Sequence, residues 1–261
     1  MLKDYRTALV TGASGGIGEA FARQLAARGM DLVLVARSEG ALRALAGELA
    51  GAHAIRTHVI VADLAVPGAA QRLYDDVTTP DWQIDLLVNN AGYGKAGTFA
   101  GLPFGVQSRM VHLNVNTVVE LTHLFLPAMI ERRRGGVINL GSTASFQPVP
   151  FMAVYGATKA FVLSFSEAIA QEVARHGVHV MALCPGGTAT GFQETAGVWE
   201  DQRGSMPSAA EVVTAALAAF DSGKRTYVPG FMNKLTAFVA GRLMPRRWVT
   251  RAAESWIGAR K

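Results

Sequence analysis

The stretch RTALVTGASGGIGEAFARQL, residues 6 to 25, constrains this chain more than any other. An apolar, β-prone run enters a glycine cluster and leaves it as an amphipathic helical pattern. Glycines at such a junction let the chain turn tightly and approach a ligand closely, while the free N–H groups opening the helix favour an anion. A helix laid back along the sheet then returns the chain for a strand parallel to the first. The spacing has two readings: Gly12, Gly16 and Gly18 fit G-x-x-x-G-x-G, and Gly12, Gly15 and Gly18 fit G-x-x-G-x-x-G. Either one, placed after a first strand, points to the pyrophosphate of a dinucleotide.

The same alternation continues to the end. Strands are expected at Ala8–Thr11, Leu32–Ala36, His58–Ala62, Leu86–Asn89, Val137–Leu140, Val178–Leu183 and Thr226–Val228. Helical patterns lie between them at Gly16–Arg28, Glu39–Leu49, Pro67–Val77, Phe104–Arg133, Val154–Arg175 and Ala209–Asp221, the last with a capping box of Ser208 and Glu211. This predicts an α/β fold: a single-domain, Rossmann-like, doubly wound parallel sheet of about seven strands with helices on both faces. No repeat or linker divides residues 1 to 261. Arg132, Arg133 and Arg134 suit the negative end of a helix, with Gly135-Gly136 as its C-cap. Residues 185 to 207 lack periodicity and are expected to form a substrate loop.

Composition narrows the function classes. The net charge of +5 resides in residues 242 to 261, with six basic groups and one acid; the first 241 residues balance at 19 of each sign. A nucleic-acid binder would spread its cations along a groove with stacking aromatics, so that class is set aside. The single cysteine, Cys184, excludes an internal disulfide, and His176-x-x-His179 lacks converging ligands, so no metal site is expected. No apolar run reaches spanning length and the first residues enter a strand directly, which implies no transmembrane segment and an intracellular, cytoplasmic protein. From Arg246 onward, Trp248, Ala252 and Trp256 recur at helical spacing beside Val249, Ala253 and Ile257. This basic amphipathic segment either packs on its own domain or a partner subunit, or touches an anionic membrane peripherally.

Four places in the chain bear on cofactor and chemistry. The second strand ends LVLVARS, with Ala36 and Arg37 where an acid would hold a ribose; arginine pairs with a 2′-phosphate, so NADP(H) is expected ahead of NAD(H). Asp63, in VADL, can accept from an adenine amino group or cap the next helix. Tyr155 and Lys159, in YGATK, share a helix face, so the ammonium can favour the phenolate form of an acid/base tyrosine. Ser142, thirteen residues upstream, ends a strand where a hydroxyl can orient a carbonyl oxygen.

With TGASGGIG, VADL, NNAG, HLNV, LGS, YGATK and CPGGTAT in this order, the chain resembles the classical short-chain dehydrogenase/reductase family along its whole length, in an NADP-preferring bacterial form. The resemblance selects G-x-x-x-G-x-G. It implies that Tyr155 transfers the proton, Lys159 lowers its pKa and holds the nicotinamide ribose, Ser142 polarises the substrate oxygen, and Asn114 supports a water leading to solvent. It further implies that Gly12, Ser14, Gly16, Ile17, Gly18, Arg37, Asp63, Leu64, Asn90, Gly92, Pro185, Gly186 and Thr188 bind the cofactor. Thr188 stands where the family often has Val or Ile, and Gly141 where a serine commonly precedes the catalytic one. The implied reaction interconverts a ketone or aldehyde and an alcohol, and Phe146, Val149, Phe151, Met152, Phe192, Val198, Trp199 and Met206 suggest a lipophilic carbonyl. A dehydrogenase of small 3-hydroxy acids and a non-catalytic NADP-binding sensor or scaffold are the alternatives. The family also implies a homodimer or homotetramer.

Overall fold

A computed structural model describes residues 1–78, 82–198 and 204–258, with side chains through Ser255. Trp199, the side chains of Trp256 and Ile257, and the terminal Arg260 and Lys261 lie outside the described residues. Seven parallel strands form one sheet: β1 (Thr7–Thr11), β2 (Asp31–Ala36), β3 (Thr57–Val61), β4 (Leu86–Asn89), β5 (Gly135–Leu140), β6 (Val178–Leu183) and β7 (Thr226–Tyr227). Their order is β3-β2-β1-β4-β5-β6-β7. Every residue of β1, β4 and β5 is buried, as a sheet covered on both faces requires.

Helices α1 (Gly16–Ala26), α2 (Glu39–His53) and α8 (Ala209–Asp221) cover one face around Phe21, Leu25, Leu42 and Phe220. On the other, α3 (Ala69–Val77), α5 (Thr117–Glu131) and α6 (Ala153–Val173) enclose Leu73, Leu121, Phe125 and Val173. Thr7 registers with Asp31 of β2, and Ala8 with both Leu32 of β2 and Leu86 of β4. The chain winds outward in both directions from β1 and β4, which opens a crevice at their carboxyl ends.

The single long helix expected over 104–133 is interrupted. It consists of α4 (Phe104–Val111), a π turn at His112–Asn116 and α5. The whole stretch Phe104–Glu131 is long and apolar enough to cross a membrane by length and composition. Here it is a core helix, with Leu121, Phe125 and Met129 packed against the sheet.

The arginine cluster departs from expectation in its details. Arg133 itself takes the left-handed conformation, at φ 51°, while Gly135 and Gly136 begin β5. Those glycines are required by packing: a Cβ on Gly136 would lie 2.5 Å from Phe220 Cζ, and one on Gly135 2.5 Å from Met129 Cγ. Asp85, 1% exposed, accepts from the Arg6 amide at 2.7 Å and pairs with Arg134 at 3.1 Å and Arg132 at 3.7 Å. The cations are thus fastened to a buried carboxylate at the foot of β4.

Two helices have no counterpart in the sequence reading: α7 (Phe192–Ala196) and α9 (Phe231–Phe238), the latter followed by a second π turn at Val239–Leu243 and by α10 (Arg246–Gly258). The first is only five residues long, and the second turns its large apolar side chains to solvent, so neither carries the pattern of a core-facing helix. Removing the buried carboxylate with Asp85→Ala is expected to destabilise the protein by about 3 kcal/mol, because Arg132 loses its buried counter-charge. A lowered urea midpoint, with a smaller drop in Asp85→Asn, is the readout.

Candidate active site

The glycine turn closes on itself through missing side chains. Gly12 and Gly16 adopt φ of 68° and 56°, and a Cβ on Gly18 would sit 2.2 Å from the Gly12 carbonyl oxygen. Gly15 makes no such demand: its backbone is extended and a Cβ there would meet nothing within 4 Å. The conformation therefore singles out Gly12, Gly16 and Gly18. Asn90, just after β4, donates from Nδ2 to the carbonyls of Thr11 (2.8 Å) and Gly12 (3.2 Å), tying the turn to the crevice. No side chain caps α1, so its first amides face the opening.

The crevice widens into a cavity of about 420 Å³. One end is formed by Gly12, Ser14, Gly16, Ile17, Asn90 and Gly92, the middle by Ser142, Tyr155 and Lys159, and the far side by Pro185, Gly186 and Thr188. Gly18 and Asn114 lie behind this wall. Arg37, Asp63 and Leu64 lie outside the lining, at the ends of β2 and β3. Arg37 is exposed, and Leu64 is buried with its carbonyl accepting from Thr117 Oγ1 at 2.7 Å. Asp63 accepts from the Ala65 amide at 3.0 Å and pairs with Arg109 at 2.6 Å. It does not cap α3, whose N-cap is Gly68. The cavity's glycine-walled end and uncapped amides fit the pyrophosphate of a dinucleotide, since the anion meets donors and no side chain fills its place.

The reactive centre is built from three strand ends and one helix. Ser142 follows β5 and accepts from the Ala144 amide at 3.1 Å, while its own amide donates to Ser145 Oγ at 3.2 Å, a capping box that fixes both serines. Ser145 Oγ also donates to the Lys159 carbonyl at 2.7 Å, locking α6 to this turn. Ser142 and Tyr155 both line the cavity, and the Ser142 side chain acts to lower the Tyr155 pKa. The spacing Ser-x-x-Ser signals this lock, yet Ser145 had not been singled out.

Lys159 is buried and donates from Nζ to the Leu140 carbonyl at 2.6 Å, with its Nζ 5.9 Å from the Tyr155 ring centroid. Burial pushes the Lys159 ammonium down to about 8 and the Tyr155 phenol up to about 12, the Ser142 side chain opposing the latter. The sequence reading expects the ammonium to depress the phenol. In this geometry withdrawal from water dominates, because the charge is spent on a carbonyl and lies over the ring face. Tyr155 is accordingly held in its neutral form.

Asn114 sits in the π turn. Its Oδ1 accepts from the Tyr93 amide at 3.2 Å, and its Nδ2 donates to the Tyr93 carbonyl at 3.0 Å and Thr158 Oγ1 at 3.1 Å. A Cβ on Gly92 would lie 2.9 Å from Asn114 Oδ1 and 3.6 Å from Lys159 Nζ, so the glycine lets these two groups approach. Gly141 has a local cause as well: a Cβ would come within 2.7 Å of Cys184 Sγ. Thr188 uses its carbonyl to accept from Gln193 Nε2 at 2.8 Å, anchoring α7.

The substrate side is apolar. Val149, Met152 and Phe192 line the cavity, and the Phe192 ring lies 5.4 Å from that of Tyr155. Phe151 and Val198 pack behind them. Met206 lies against Gly187 and receives the Gln193 amide group at 3.2 Å, whereas Phe146 lies outside the lining and faces Gly241. Among the described residues, no cluster of His, Cys, Asp or Glu could hold a metal ion.

The sequence profile described as short chain dehydrogenase matches residues 6–201. A hydroxysteroid dehydrogenase-like protein 1 from Gallus gallus is 32% identical over 252 residues, which cover 95% of this chain and 75% of that protein. A very-long-chain 3-oxoacyl-CoA reductase from Anas platyrhynchos is 37% identical over 189 residues, 70% of this chain and 60% of the reductase's length. Among solved structures, a short-chain dehydrogenase from Sphingobium yanoikuyae in complex with NADPH superposes with a TM-score of 0.83 at 33% identity, covering 91% of this chain and 93% of that one.

Cys184 is fully buried and its thiol is pushed up to about 12, so it is expected to be inert to thiol reagents. Titration with a disulfide reagent at pH 8 should release nothing from the native protein and one equivalent once it is unfolded.

Proposed function

The chain belongs to the short-chain dehydrogenase family, and from that premise we propose that it is an NADP(H)-dependent reductase of a lipophilic ketone or aldehyde. The observation that carries this reading is the convergence of Ser142, Tyr155 and Lys159 on one cavity, between a glycine-walled cleft and an apolar pocket. A substrate carbonyl placed there accepts from both hydroxyls, which polarises it. A bound reduced nicotinamide supplies the hydride to the carbonyl carbon. Tyr155 gives its proton to the oxygen as negative charge develops, and its high pKa keeps it in the donor form at neutral pH. Lys159 holds the nicotinamide ribose and replenishes the proton. The π turn at Asn114 loosens the helical ladder and offers a carbonyl to a water that links Lys159 with solvent.

The substrate class follows from what lines the pocket. Among the described residues Lys159 is the single cation of the lining, and it is engaged with Leu140, so a small acid's carboxylate has no free cationic partner there. The apolar wall of Val149, Met152 and Phe192 suits a hydrophobic carbonyl. The NADPH in the Sphingobium structure and the name of the Anas reductase are consistent with both halves of this assignment. Arg37, exposed at the end of β2, recognises the 2′-phosphate. The protein acts as a homodimer or homotetramer joined through α6 and the α4–α5 stretch, which expose Phe161 and Phe104.

NADPH oxidation, with NADH alongside, measured against ketones, aldehydes, oxo-acids and acyl thioesters tests the reading. Tyr155→Phe is expected to lower turnover about a thousandfold while NADPH binding persists. NADPH binding without turnover of any of these carbonyls by the native protein would favour a sensor instead. Arg37→Ala is expected to raise the KM for NADPH about tenfold and leave that for NADH unchanged, the loss of one charge-assisted contact.

A further inference from the structure

The C-terminal elements present an apolar face that no other described residue covers. Phe231, Met232, Leu235 and Phe238 recur at helical spacing along α9, with Phe231 78% and Phe238 55% exposed, while Ala237 turns inward. Leu243 and Trp248, 65% and 57% exposed, extend the apolar surface through the π turn into α10. Val249 and Ala253 are buried on the opposite side of α10, so the helix is docked and Trp248 points outward from a fixed base.

The charge around this face has one sign. Between Asp221 and Glu254 the sequence holds seven basic residues and no acidic one. Lys234, Arg242, Arg246, Arg247 and Arg251 are all exposed beside the apolar side chains, and none forms an ion pair among the described residues. A twofold contact with a second copy would set these cations against their own duplicates, with no acid in the segment to offset them. An anionic lipid surface instead supplies phosphates for the cations and hydrocarbon for the apolar side chains.

We infer that α9, the following π turn and the start of α10 dock this protein on an anionic membrane surface. The face also adjoins the catalytic cavity. A Cβ on Gly186, a cavity wall, would lie 2.6 Å from Asn233 Nδ2 of α9, and one on Gly241 would lie 3.7 Å from the carbonyl oxygen of Phe146, in the turn that follows Ser142. Docking therefore sets the mouth of the site at the lipid boundary, where a hydrophobic carbonyl would partition. This second step rests on the reductase reading; membrane binding itself does not.

Co-sedimentation with vesicles of phosphatidylcholine alone, or mixed with phosphatidylglycerol, provides the test. The full chain is expected to bind the anionic vesicles at low salt, to bind neutral ones at least tenfold more weakly, and to be released by high salt, as screening requires. The triple variant Arg242→Gln, Arg246→Gln, Arg247→Gln is expected to bind on the order of 100-fold more weakly, at about fivefold per cation removed. Phe231→Ser with Phe238→Ser should lose binding while keeping the native thermal transition and turnover of a water-soluble ketone. Absence of binding, equal binding to both vesicle types, or dissociation of an oligomer by the Phe variant without lipid would overturn the proposal. The salt and lipid dependence of the native protein decides the matter even if a variant misfolds. Vesicle binding without carbonyl reduction would instead count against the reductase reading alone.

Discussion

The contact on which the site depends is one that a single methyl group would abolish. Gly18 lies so close to the carbonyl of Gly12 that the first turn of α1 can approach the end of β1 only without a side chain. Asn90 then bridges that turn to β4 through two carbonyls. Together these fix the point where the winding of the sheet reverses, and therefore where a cleft opens. The remainder of the site is hung from strand ends that this junction has already aligned: Ser142 on β5, Thr188 beyond β6, and Lys159 reaching back to Leu140.

Within that frame, burial and hydrogen bonding oppose each other at the reactive residues. Lys159 is held by a carbonyl instead of a carboxylate, so nothing offsets the lowering of its pKa by burial, while Tyr155 remains protonated and neutral. The sequence spacing shows that the two can meet. It does not show how much water the fold removes around them, and that quantity sets the direction of both shifts. Ser145 belongs to the same problem: its importance comes from joining Ser142 to the backbone of α6, a contact between segments fourteen residues apart.

What was legible in the chain was whatever local chemistry dictates. The seven strands announce themselves as apolar runs, and the observed boundaries differ from the expected ones by up to two residues. Of the demanding glycines, Gly12 and Gly18 belong to both readings of the turn, and the family resemblance selects Gly16 over Gly15. The π turn at Asn114 could not, since nothing in HLNVN interrupts a helical pattern and the distortion arises from tertiary packing. Arg133 was similarly opaque: a left-handed arginine ends α5 because Asp85 captures its neighbours and the following glycines are needed inside β5. Helix α9 escaped notice because its apolar side chains face away from the core.

The two halves of the cavity are made of different material. The glycine-walled half consists of strand ends that the whole core supports, whereas the apolar half consists of loops that meet through a few backbone bonds: Ala96 to the Ala196 carbonyl at 2.9 Å, and Gly97 to the Phe151 carbonyl at 2.8 Å. Those crossings join three separate segments without engaging the sheet. Such an arrangement makes the specificity portion exchangeable. Loops of other shape and lining can be grafted between the same anchor points while the reactive groups keep their places, so one chassis can be refitted for a new substrate by changing its trim.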